Sequence, residues 1–428
     1  MHNAREVIIA RLNRVGGSTY VDISREREQN RHAGHERADN PIREIVEKEG
    51  HAASVYRMSW LAEYDERPMR LPALVVTAML LFGSDPAAGQ MSWPNQREDN
   101  FILTDFRFAS GETLPELRLH YVTLGTPRRN AAGSITNGVV LLHGTSGSSA
   151  SWLQATLGGE LFAKGQPLDA AQYFIVIPDG IGAGGSSKPS DGLRAKFPHY
   201  RYRDAVEAQY RLVTEGLGIR HLRMVLGTSM GGMQTWMWGE MYPTFMDGLV
   251  PIASQPIAIS GRNWITRRIR IEAIRNDPEW NGGNYDRNPT RYVYTLPLAQ
   301  LMTENVVRLQ DMAPTRESAD AFYQKLVGDA RRNDANNVLY ATEAVMDYDP
   351  SKDLETIRAR LLAINFADDA LNPPELNVLE PAIRRIPNAK HVLIPAGPDT
   401  HGHFTYMRAA MWKRHLAEFM RTLEGGQE

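Results

Sequence analysis

Met224-Val225-Leu226-Gly227-Thr228-Ser229-Met230-Gly231-Gly232-Met233 decides the fold of this chain. An apolar run enters G-x-S-x-G, and a Gly/Met/Trp-rich segment that reads as helix leaves it. This is the sequence form of a nucleophile elbow, in which a strand turns sharply into a helix and lifts one serine hydroxyl above the sheet. Gly227 and Gly231 would let strand and helix approach closely where Ser229 is held in strained backbone geometry. The motif alone recurs by chance. Its weight comes from lying between a strand and a helix, with an acid and a histidine following in the expected order.

Working outward, Phe101 to Phe108 and Leu117 to Leu124 alternate as an antiparallel opening pair joined by a turn around Gly111. Short apolar runs of the buried-parallel-strand type follow: Val139 to Leu142, Tyr173 to Ile177, Leu222 to Leu226, Gly248 to Ile252, Leu361 to Phe366 and His391 to Ile394. Helical patterns lie at Asp204 to Leu217, Gln234 to Tyr242 and Phe404 to Leu423. The expected class is α/β, a mostly parallel eight-stranded sheet with helices on both faces. From about Ser254 to Arg360 no buried-strand run occurs, so residues 255–360 are expected to form a helical cap inserted between late strands, with 90–254 and 361–428 as the core.

The 428 residues are 42% hydrophobic, carry a formal net charge of -2 and contain no cysteine. Disulfides, thiol catalysis and cysteine metal sites are thereby excluded, and no global basic field points to nucleic acid. Residues 1–68 are rich in Arg, Glu, His and Asn with sparse apolar periodicity, and read as a disordered or non-native extension. Met69-Arg70, the apolar run Leu71 to Phe82 and the small residues Ala87-Ala88-Gly89 then form the pattern of a signal peptide over 69–89. Periplasmic or secreted placement is the expectation and cytoplasmic the alternative, with no membrane span after signal removal.

A serine alcohol needs a base, and the base needs an orienting acid. Gly397-Pro398-Asp399-Thr400-His401-Gly402-His403-Phe404 offers two histidines. His403, just before the final helix, is preferred as the base over His401; His391 and His415 read as structural or solvated. Ala367-Asp368-Asp369-Ala370-Leu371-Asn372-Pro373 offers two adjacent acids just past a strand, of which Asp369 is preferred to Asp368. The Met230 and Thr145 backbone N–H groups are the candidate oxyanion hole, and His143 reads as a brace for its loop. Asp179-Gly180-Ile181-Gly182-Ala183-Gly184-Gly185 holds G-x-G-x-x-G, but Ser186 to Ser190 follows instead of a helix, so a structured loop is expected and no cofactor. His401-x-His403 lacks further ligands at metal spacing, and no metal is expected.

With these residues in hand, the chain resembles the α/β-hydrolase superfamily over roughly residues 100 to 425, and more narrowly its homoserine O-acetyltransferase-like branch. The resemblance rests on Gly227 to Gln234, on the cap run Ala273-Ile274-Arg275-Asn276-Asp277-Pro278-Glu279-Trp280-Asn281-Gly282-Gly283-Asn284-Tyr285, on Asp369-x-Leu371-x-Pro373 and on Gly402-His403. Two segments depart from the acetyltransferase pattern: Asp179 to Gly182 stands where a G-G-C-type turn is usual, and Leu296 to Met302 where an Ala-Arg-Met-type segment is usual. The resemblance and these departures imply a serine-nucleophile acyl-transfer enzyme acting on a small-molecule acyl substrate. An exported ester hydrolase is the first expectation, and homoserine O-acetylation from acetyl-CoA the alternative. A homodimer through the cap is expected as the assembly.

Overall fold

The computed structural model describes residues 93–145 and 147–424, together with the backbone of 6–15 and 18–27. Eight strands form one sheet: β1 (Arg97–Arg107), β2 (Thr113–Leu124), β3 (Gly138–Leu142), β4 (Phe174–Pro178), β5 (Leu222–Thr228), β6 (Met246–Ile252), β7 (Arg360–Phe366) and β8 (Ala389–Ile394). Their spatial order is β8-β7-β6-β5-β3-β4-β2-β1. β2 runs antiparallel to both its neighbours, and every other pairing is parallel. This is the expected sheet. The opening pair is longer than the apolar pattern indicated because its edge residues are polar and exposed yet still paired, from Arg97 opposite Thr123 to Arg107 opposite Thr113.

Period-two alternation divides the central strands between two cores. Val140, Leu142 and Val225 join one cluster, with Tyr202, Trp236 and Trp238. Val139, Leu141, Met224 and Leu226 join the other, with Trp152, Trp412 and Leu416. Helices α1 (Tyr202–Arg211) and α2 (Met230–Met241) cover the first face.

The inserted segment supplies α3 (Gly261–Arg275), α4 (Thr290–Thr295), α5 (Leu298–Thr303), α6 (Val306–Met312), α7 (Arg316–Arg332) and α8 (Ala335–Glu343). It does not remain cap-like to residue 360. After Glu343 three 3₁₀ turns, Ala344–Asp347, Pro350–Lys352 and Leu354–Thr356, bury Val345, Tyr348, Leu354 and Ile357 in the first core. These turns return the chain to the start of β7, as a parallel neighbour of β6 requires.

The last helix is shorter than expected. Two 3₁₀ pieces, Gly402–Met407 and Ala409–Met411, precede α9 (Lys413–Glu424). The Ala409 N–H donates to Thr156 O and the Trp412 indole to Tyr406 O, which spends on tertiary contacts the bonds a continuous helix would need. α9 covers the second face through Leu416, Phe419, Met420 and Leu423.

Within the first 68 residues, Glu6–Val15 and Ser18–Arg27 pair antiparallel, Val15 opposite Ser18. The composition of residues 1–68 reads as a disordered or non-native extension, so no strand is expected there. Both strands carry β-branched or aromatic residues, and the intervening sequence Gly16-Gly17 is of the kind that two-residue hairpin connections favour. The signal-peptide pattern at 69–89 lies outside the described residues.

Candidate active site

The C-terminal ends of β3 and β5 are level, Leu142 opposite Gly227, and β6 ends beside them with Ile252 opposite Thr228. Loops that follow these strands therefore converge at one edge of the sheet. At that edge Ser229 has φ 54° and ψ -111°, an arrangement that costs a non-glycine residue roughly 1–3 kcal/mol. The surroundings impose it. A Cβ on Gly227 would lie 2.0 Å from Gly231 O, and one on Gly231 2.2 Å from Leu142 O. Only glycines allow strand and helix to close on each other here.

The structure brings the three expected side chains together. Ser229 Oγ lies 2.8 Å from His403 Nε2, and His403 Nδ1 lies 2.7 Å from Asp369 Oδ2. With Nδ1–H donating to the carboxylate, Nε2 is free to accept the serine proton. Asp369 is 1% exposed. Burial alone would raise its pKa, but the His403 imidazole, the Asn372 amide and the Leu371 N–H hold it below the ordinary aspartate value. Asn372 was not assigned from sequence: its Nδ2 donates to Asp369 Oδ2 at 2.9 Å and to Ala253 O at 3.0 Å, locking the acid to the end of β6.

The alternatives are placed elsewhere. Asp368 turns away from the imidazole to Asn305, Thr400 and the Gly402 N–H. His401 Nδ1 lies 3.6 Å from Glu304 of the cap, and burial together with Arg308 and Arg408 lowers its pKa. His391 pairs with Glu380 on the β8 edge, and His415 lies in α9 beside Arg414. Among the described residues no cluster of three His, Asp or Glu side chains could hold a metal ion, and no helix is long and apolar enough to cross a membrane.

The loop and helix start that carry the oxyanion candidates lie against each other at the site. Gly231 N–H donates to His143 O at 3.1 Å, pulling the loop after β3 against the elbow, and a Cβ on Gly144 would sit 3.5 Å from Ser229 Cβ. The N–H groups of Met230 and Thr145 have no partner among the described residues. His143 is the expected brace: its Nδ1–H donates to Gly144 O at 2.8 Å, and its Nε2 accepts from the Gly180 N–H at 2.9 Å. Burial lowers its pKa, so the neutral ring that these two bonds require is favoured.

Likewise the Gly-rich stretch after β4 is a structured loop. It wraps the buried Asp179 carboxylate, which accepts from the Ser149 and Gly185 N–H groups at 2.6 and 2.7 Å. The cap run Asp277 to Tyr285 works in the same structural way. Trp280 Nε1 donates to Asn336 Oδ1, the Asn336 N–H donates to the Tyr285 hydroxyl, and a Cβ on Gly283 would strike Ala195 at 2.4 Å.

A sequence profile described as the alpha/beta hydrolase fold matches residues 137–402. The chain belongs to the α/β-hydrolase family. Within it the chain falls in the homoserine O-acetyltransferase-like branch. It is 32% identical over 297 residues to a probable acyltransferase of Methanothermobacter thermautotrophicus, covering 68% of this chain and 89% of that one. It is 31% identical over 333 residues to a homoserine O-acetyltransferase of Chloroherpeton thalassium, covering 69% and 82%. Two solved structures share the fold. The homoserine O-acetyltransferase of Bacillus anthracis matches with TM-score 0.67 at 21% identity, over 77% of this chain and 98% of that one. The acetyl esterase MekB matches with TM-score 0.65 at 24% identity, over 76% and 97%. The protein is accordingly an enzyme of the α/β-hydrolase family, on a branch whose similar members include acyltransferases.

Proposed function

We propose that the protein is an exported ester hydrolase that works through an acyl-Ser229 intermediate. The observation that carries the mechanism is the hydrogen-bonded succession Ser229–His403–Asp369, next to the Met230 and Thr145 N–H groups that have no partner among the described residues. Ser229 Oγ attacks the acyl carbon as His403 Nε2 takes its proton, and the Met230 and Thr145 N–H groups hold the resulting oxyanion. The intermediate collapses, and the leaving alkoxide takes the proton from His403. Water then yields a proton to His403 and attacks the acyl-serine, releasing the acid and restoring Ser229.

Acetyl transfer from acetyl-CoA to homoserine is the second reading, favoured by the homoserine O-acetyltransferase relatives. It shares the first half-reaction, with the homoserine hydroxyl in place of water. Hydrolysis is placed first on two features of the sequence: the departures at Asp179 to Gly182 and Leu296 to Met302, and the signal pattern at 69–89, since acetyl-CoA is scarce outside the cytosol. A side-by-side assay of ester hydrolysis and of CoA release with homoserine tests the choice. Homoserine-dependent CoA release faster than hydrolysis of acetyl esters would reverse it. Mass spectrometry of the native N-terminus tests export: a start near Gln90 supports it, and an intact chain from Met1 in the cytosolic fraction removes it. The homodimer through the cap has a surface to use, since Leu298 and Leu301 in α5 and Val306 and Val307 in α6 are exposed.

A further inference from the structure

Asp368 is a carboxylate spent on neither substrate nor base, yet it ties together three segments that lie far apart in the chain. One oxygen, Oδ2, accepts from the Asn305 amide at 2.5 Å, from the Thr400 hydroxyl at 2.7 Å and from the Gly402 N–H at 3.1 Å. Asn305 belongs to the cap, where its own Oδ1 caps α6 by accepting from the Val307 and Arg308 N–H groups. Thr400 and Gly402 belong to the loop that carries His403. The same cap turn bears directly on that loop. Gly402 has φ +55°, and a Cβ on it would lie 2.9 Å from Thr303 O and 3.0 Å from Asn305 N.

We propose that Asp368 is a positioning residue that fixes the histidine loop to the cap, so that His403 is in line with Ser229 only while the Thr303–Asn305 turn is seated. The proposal rests on the Ser229–His403–Asp369 reading above. Its physical basis is the adjacency of two carboxylates on one turn after β7. Asp369 holds the imidazole from beneath, while Asp368 holds the backbone that delivers it. Asp368 is half-buried, and its three donors converge on one oxygen, so loss of any one of the three loosens the others. Displacing the base by about 1 Å costs on the order of 100-fold in rate.

The test uses the full chain with Asp368→Ala, Asn305→Asp and the double variant Asn305→Asp/Asp368→Asn, each followed by kcat, KM and melting temperature, with Ser229→Ala alongside. Asp caps a helix as well as Asn does, so Asn305→Asp keeps α6 but sets two carboxylates against each other. In the double variant the like-charge repulsion is gone, because residue 368 is then a neutral amide whose oxygen still serves Thr400 and Gly402. Expected are losses on the order of 100-fold in kcat with KM little changed for Asp368→Ala and Asn305→Asp, and recovery of about tenfold or more in the double variant. If Asp368→Ala does not fold, the Asn305→Asp pair decides alone. The proposal is overturned if Asn305→Asp keeps wild-type kcat, or if the folded double variant is no faster than Asn305→Asp. An active Ser229→Ala would instead overturn the underlying triad reading.

Discussion

The sheet and the outer part of the cap, α5 and α6, are held by different means, whereas α3, α4, α7 and α8 bury Ile271, Ile274, Tyr292, Val327 and Leu339 in the first core. β3 and β4 are buried at every position, and α2 is buried from Met230 to Gly239, with glycines at the closest contacts of the elbow. In the cap, α5 and α6 have no buried residue, and the joints are polar: Asn288 spans the end of α7 through Arg331 O and Asn333 O, and Asn305 reaches Asp368. Close-packed apolar contact defines one geometry and tolerates little change, whereas polar tethers permit adjustment at small cost. The difference assigns the labour. The core fixes Ser229 and Asp369, and α5 and α6 are free to vary apart from the Thr303–Asn305 turn that Asp368 holds.

The largest effect should come where the core holds the nucleophile. Ser229→Ala is expected to lose on the order of 10⁶ in rate while melting like the wild type; retention of more than a few per cent of activity would end the serine mechanism. His403→Ala should fall nearly as far, and the Ser229/His403 double variant little further, because the members act as a unit. His401→Ala, tied to cap Glu304, should chiefly change KM. A reversal of the two histidines in kcat would mean that His401, the one facing Glu304 of the cap, supplies the base.

Glycine replacements compare the two regions in stability. At Gly231 an added Cβ meets Leu142 backbone at 2.2 Å, so Gly231→Ala should cost about 3 kcal/mol in denaturant unfolding. At Gly261 in the cap nothing lies within 4 Å and only the positive φ resists, so Gly261→Ala should cost about 1 kcal/mol. Equal losses would erase the distinction. The smallest effect is a pH dependence within α2. Burial, with Asp353 and Asp349 nearby, raises the Glu240 carboxyl from 4.5 to about 8. Such a carboxyl costs stability progressively as pH rises from its unfolded value toward its folded one. Glu240→Gln should therefore melt above the wild type at pH 8 and close to it at pH 4.5; a gap that does not grow with pH would remove Glu240 from consideration.

What could be read in the sequence follows the same division. The elbow, Asp369 and His403 were legible because strand order and local turn chemistry place them, and the glycines needed for close approach are adjacent in sequence. Asn372 could have been found, standing three residues after the acid in a turn. The role of Asp368 could not: local sequence marks it only as the rival of Asp369, and its partner Asn305 is 63 residues away on a cap turn. The beginning of α9 was misplaced for a related reason, since helical periodicity from Phe404 cannot reveal that Ala409 bonds to Thr156 instead of to its own turn.

The return path after Glu343 bears on grafting. Because β6 ends at the site edge and β7 starts at the opposite edge, the insertion is also the crossover that joins two adjacent parallel strands. A donor cap spliced in place of the whole segment would carry away Val345, Tyr348, Leu354 and Ile357, which belong to the recipient's interior. A workable chimera would exchange Gly261 to Glu343 and keep the host's own descent from Ala344 onward, together with an asparagine where Asn305 now stands.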